Sequence, residues 1–206
     1  MKYCPKVSII GDVAVTETLV ITLLPEIVCA AGIYRRSLCE VTEMRKMFHV
    51  LENALKEKEL LEIYSIQDEG NFDVGVPLKM YKDDFIIQRI TKNGNSNEYE
   101  AIRYEDVIML KEKTVYLRKL EKLISYKDKD VSLNSQSGIE DVIYLASRNN
   151  LNLEISLDSF EDSIYGRCIS YDGSIVCIEE LDTKGKVYGK AYAEIDDIRS
   201  CCCEYS

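Results

Sequence analysis

The sequence predicts a mainly β chain with helices, arranged as two tandem units of one helix followed by five strands. Three observations carry this expectation. Short runs rich in Ile, Val, Tyr and Phe alternate with turn residues such as Asp68-Glu69-Gly70-Asn71 and Lys92-Asn93-Gly94-Asn95, the punctuation of a β-meander. An apolar stripe at helical spacing precedes each series. A shift of 91 residues lays Gly75 on Gly166, Ile87 on Ile178, Ile90 on Leu181, Gly94 on Gly185, Asp106 on Asp197 and Val107 on Ile198 without a gap.

Composition limits the classes of function. The 206 residues are 46% hydrophobic and 30% charged, enough apolar material to build a core. The formal charge of −10 repels phosphate backbones and disfavours a general nucleic-acid binder. The eight cysteines contain no C-x-x-C, and none falls between Cys39 and Cys168, so reduced thiols in a cytoplasm fit better than a stapled secreted fold. The single histidine, His49, lies in a helical pattern, and it offers no partner for a nucleophile or a metal.

Residues 1–43 are read as an N-terminal extension. The run from Thr18 to Ile33 is interrupted by Pro25 and Glu26 and is shorter than the roughly 20 residues that cross a bilayer. Asp12 and Glu17 stand where a signal peptide would carry basic residues. Codons for Arg35-Arg36-Ser37 can spell a bacterial ribosome-binding sequence, so one expectation is a native start near Val41 to Met47. The other is an N-terminal strand and helix packed on the rest of the chain.

The first unit spans residues 44–126. Met44, Met47, Phe48, Leu51 and Leu55 form one helical stripe. Strand-like runs come next at Leu61–Ile63, Asp73–Lys82, Asp84–Thr91 and Glu98–Leu110, and Tyr116, Leu117, Leu120, Leu123 and Ile124 predict a trailing helix. Residues 127–138 have turn composition without periodicity and are the expected linker. The second unit, residues 139–206, opens on a helix through Ile139, Val142, Ile143 and Ala146, with Ser137 and Glu140 in capping-box spacing.

A helix followed by five short bent strands resembles the Sm-like small β-barrel, a relative of SH3-like barrels. Gly75 followed by Tyr81-Lys82-Asp83-Asp84-Phe85-Ile86-Ile87 resembles the first Sm motif, and Ala101-Ile102-Arg103-Tyr104-Glu105-Asp106-Val107-Ile108 resembles the second. The resemblance implies two tandem small barrels. It also implies an RNA site near Gln88 and at Arg103 and Tyr104 in the first copy. Glu179 and Glu194-Ile195 take the corresponding places in the second copy.

Charge divides unevenly: residues 41–126 carry 14 basic and 16 acidic groups, residues 127–206 carry 8 and 16. Glu179, Glu180, Asp182, Asp196 and Asp197 are therefore either solvated strand ends or a negative face that steers a basic partner. Glu105-Asp106 and Asp196-Asp197 precede the last strand of each copy and read as turn residues. The expected function is a non-enzymatic cytoplasmic protein–protein interaction module whose acidic C-terminal barrel meets a protein, with no cofactor, metal or membrane. An immunity or antitoxin-like inhibitor of a basic toxin is one alternative. A residual Sm-like RNA binder using Arg103 and Tyr104 is the other.

Asp172-Gly173 carries a two-residue hairpin signal of type I′. Counting outward from it places Cys168 opposite Cys177 at a non-hydrogen-bonded site, as buried hydrophobes or as a redox pair.

Overall fold

The computed structural model describes residues 38–66, 71–96, 98–124, 131–158 and 163–204, with side chains from Lys46 onward. The expectations for residues 1–37 lie outside the described residues. The chain divides into two compact units, Met1–Arg45 and Lys46–Ser206. Of the first, only the helical backbone of residues 38–45 is described, and the rest of the account concerns the second.

Helix α1 (Leu38–Glu57) leads into β1 (Leu61–Ser65), β2 (Asp73–Met80), β3 (Asp84–Arg89), β4 (Glu98–Arg103) and β5 (Val107–Glu112). A six-residue helix α2 (Val115–Leu120) and helix α3 (Gly138–Asn149) come next, then β6 (Asn152–Leu157), β7 (Ile164–Tyr171), β8 (Ile175–Leu181), β9 (Val187–Glu194) and β10 (Ile198–Glu204). The expected run Glu98–Leu110 is two strands, because the 3-10 turn Tyr104–Asp106 breaks it.

The chain is mainly β, but it does not form two closed small barrels. All ten described strands join one open antiparallel sheet in the order β5-β1-β2-β3-β4-β10-β6-β7-β8-β9. Closing the first barrel would require β4 to bond to β5. Instead β4 gives its free edge to β10, from Ser200 opposite Ile102 to Glu204 opposite Glu98, and β10 also pairs with β6. The hydrogen-bonding groups that could close each half are spent on joining them. Each half keeps one strand order, its fifth strand beside its first and its fourth at the far side.

Side chains explain the seam. Alternation along β10 sends Cys201 and Cys203 to one face and Cys202 to the other. Cys201 and Cys203 join Ile86, Tyr99 and Ala101 of the first half and Val142, Ile143, Leu153 and Ile155 of the second in one core cluster. Helix α3 covers this apolar face. Its start is fixed from two directions, since Ser137 Oγ accepts from Glu140 N at 3.2 Å and the Asp84 carboxylate accepts from Gly138 N and Ile139 N at 2.7 and 3.1 Å. The capping box is half formed, because Glu140 Oε2 accepts from Gln136 N at 3.4 Å and not from Ser137. Asp141, also buried, accepts from Asn134 N, Ser135 N and the Tyr81 hydroxyl. The end of the expected linker is thereby tied to the first half.

Two smaller clusters complete the packing. Leu51 and Ala54 of α1 bury against Ile63, Phe85, Ile87 and Tyr104, with Met47 and Phe48 alongside, while Leu55 is only half-buried. Leu117 and Leu120 of α2 bury against Leu60, Val74, Val76 and Ile90, and Thr114 Oγ1 caps the helix by accepting from Leu117 N at 3.1 Å.

The expected pairing of Cys168 with Cys177 is not what forms. Gly173 (φ +102°) and Ser174 are the loop, with Asp172 N donating to Ile175 O. Positive φ at the first loop position alone is the type II′ pattern, not I′. A bulge between Cys168 and Ser170 then sets Cys168 opposite Ile178 and Ser170 opposite Cys177. Both thiols are free and buried, and Cys168 belongs to the core under α3. Burial pushes the Cys168 thiol up to about 11.

Candidate functional site

The five acidic residues singled out from the sequence do not make one face. Glu179 sits in β8 between Arg167 of β7 and Lys190 of β9, a row of alternating sign, and Glu180 lies between two glycines, Gly166 and Gly189. Asp182 is a turn residue: its Oδ1 accepts from Lys184 N and Lys186 N, both at 2.8 Å. Asp196 and Asp197 lie in the 3-10 turn after β9, at the opposite end of the β8–β9 ribbon, where Ile195 N donates to Ser174 O. Four residues of β8, Ile175 to Ile178, lie between Glu179 and the end where the 3-10 turn packs, about 15 Å at strand rise, and Asp182 lies beyond the other end.

The residues of the RNA alternative are engaged in structure. The Tyr104 ring is buried at 4.3 Å from the Phe48 ring and 5.3 Å from that of Phe85, and its hydroxyl donates to Tyr81 O. Arg103 donates across the seam to Asp196 O at 2.6 Å. Gln88 is buried and donates to Ser96 O.

A different set of carboxylates converges on the seam. On the face opposite α3, Glu100, Cys202 and Glu154 stand in register on β4, β10 and β6, and Ile102, Ser200 and Ser156 form the next row. With Asp73, Arg89 and Asp106 these residues line a cleft of about 140 Å³. Asp73, Glu100 and Asp106 are buried there, whereas Glu154 is exposed at the rim and accepts from Ser163.

Two arginines organise the cleft. Arg89 Nη2 lies 2.5 Å from Asp73, Nη1 3.4 Å from Glu98 and Nε 3.7 Å from Glu100. Burial works against its charge, but Glu100 and Asp73 outweigh burial and hold the guanidinium charged. Arg199 is the bulged residue of β10, between the pairs Ile198–Leu157 and Ser200–Ser156. A bulge re-aims its side chain, and here Arg199 reaches Asp158 and, at 3.0 Å, Oδ1 of Asp106. Burial raises the Asp106 carboxyl, and the neighbouring Arg199 opposes that rise.

Asp106 thus looks like a turn residue in the sequence and is a buried seam residue in the fold. Its counterpart Asp197 is exposed. No spacing rule could reveal this, because the partner Arg199 lies 93 positions away. Compared with models of known protein families and with curated proteins, the chain matches none.

Proposed function

We propose that the chain is a non-enzymatic protein-binding module that pairs with a strand of a protein partner along β9. The observation that carries this reading is the composition and position of β9, which, like β5 at the other end, borders the described sheet on one side only. Along it Val187, Tyr188 and Tyr192 are 52, 83 and 69% exposed. An edge strand offers a row of backbone donors and acceptors, and exposed aromatics supply contact area at low entropic cost. Strand addition then provides affinity through main-chain bonds and specificity through alternate side chains. Lys190 and Glu194 on the same strand favour a partner strand carrying both charge signs, in place of the basic partner that a negative face of Glu179, Glu180, Asp182, Asp196 and Asp197 would steer.

The test is hydrogen exchange of the complex with a partner isolated from native cells, followed by binding to a Tyr188→Lys/Tyr192→Lys variant. New protection confined to Val187–Glu194 and loss of binding in the variant are expected. Protection on other elements, with the variant binding normally, would remove the reading.

A further inference from the structure

We propose that the cleft between the two halves is a binding site for a small organic cation, an ammonium or guanidinium head group. This goes beyond the edge-strand reading and does not depend on it. The first ground is charge: Asp73, Glu100, Asp106 and Glu154 line the cleft, and Arg89 is the one cation among its lining residues. Arg89 is already shared between Asp73, Glu98 and Glu100, and Arg199 between Asp106 and Asp158.

The second ground is independent of charge counting. Asp106 is 2% exposed, its Oδ1 takes the Arg199 hydrogen bond, and its Oδ2 has no hydrogen-bond partner among the described residues. Asp106 lines the cleft, and a buried carboxylate oxygen without a donor carries a desolvation cost that a ligand N–H would relieve. The space is sufficient, since about 140 Å³ is some ten times what one water requires. A cation with several N–H groups matches a site made of carboxylates and hydroxyls, where charge-assisted hydrogen bonds are strongest. A metal matches it poorly: among the described residues no three carboxylate, thiol or imidazole groups converge to hold one. The same head group can belong to a free amine or to a Lys or Arg side chain of another protein.

The experiment titrates the full chain, at fixed ionic strength, with methylguanidinium, n-butylammonium and tetramethylammonium chlorides, following backbone amide shifts by NMR. Acetyl-Gly-Arg-Gly-amide and acetyl-Gly-Lys-Gly-amide form a second arm. Saturable shifts at Ser200, Cys202 and Glu154 are expected with the N–H cations and not with tetramethylammonium. Asp106→Asn keeps the shape and an acceptor for Arg199, and should weaken binding about tenfold or more; the rim variant Glu154→Gln, which carries little folding risk, should weaken it severalfold. Tighter binding of the peptides than of the free amines assigns the site to a protein side chain, and the reverse order assigns it to a free amine. Shifts that tetramethylammonium reproduces, that map elsewhere, or that persist unchanged in Glu154→Gln and in whatever Asp106→Asn protein folds would overturn the proposal.

Discussion

Arg199 Nη1 donates to Asp106 Oδ1 at 3.0 Å, an ion pair between the fifth strand of the second half and the turn before the fifth strand of the first. Asp106 is buried and the Arg199 side chain is 29% exposed, so removing the arginine leaves a carboxylate with little access to water. Arg199→Ala should cost about 1–3 kcal/mol in urea unfolding, with Arg199→Lys recovering part of it. A loss below about 0.5 kcal/mol, the usual effect of a surface change, would mean that the pair is not a structural tie.

Asp106 also gives the pH dependence a sign. Burial raises its carboxyl above the ordinary value of 3.8 despite Arg199, so the folded chain holds this proton more tightly than the unfolded chain. The associated stability is full below 3.8 and is lost as pH rises through the folded value. Asp106→Asn cannot titrate. Its stability relative to the native chain should therefore improve as pH rises above 3.8, measured as the difference in urea midpoints; a difference that stays flat or runs the other way contradicts the raised carboxyl.

Asp84 caps α3 from a strand of the other half through Gly138 N and Ile139 N. Asp84→Ala should destabilise the protein by about 1–2 kcal/mol, in the range of lost N-caps. Amide exchange should accelerate first in the opening turn of α3. Uniform acceleration across the sheet would show that Asp84 matters for reasons other than the cap.

Gly166 and Gly185 should respond differently to alanine. A Cβ on Gly166 would stand 2.1 Å from the Glu179 carbonyl oxygen, so β7 and β8 must separate, whereas a Cβ on Gly185 meets nothing within 4 Å and suffers only its φ of +75°. Gly185→Ala should cost about 1 kcal/mol, and Gly166→Ala clearly more, by thermal or urea unfolding. Equal losses would remove the close approach as the reason for glycine at 166.

How far the sequence spoke depends on the range of each interaction. Helical stripes, the Thr91–Asn95 and Asp182–Lys186 turns with their positive-φ glycines, and the Ser137 cap depend on residues within a few positions of one another. The halves even place their bulges alike, past Pro77 and past Cys168, and at Ile108 and at Arg199. Closure is not legible in the sequence, because a free strand edge is satisfied equally well by its own first neighbours or by β10, and local pattern does not distinguish the two. The seam carboxylates were invisible for the same reason. Glu100 and Glu154 acquire a shared environment only when Cys202 lies between them.

The strand that holds the sheet together follows the other nine described strands in the sequence and lodges between β4 and β6. Until Ser200–Glu204 finds its slot, β4 and β6 each present an unsatisfied edge backed by Tyr99 and Ala101 or by Leu153 and Ile155, the kind of surface that templates aggregation. Loss of those five residues would therefore bare two apolar edges at once.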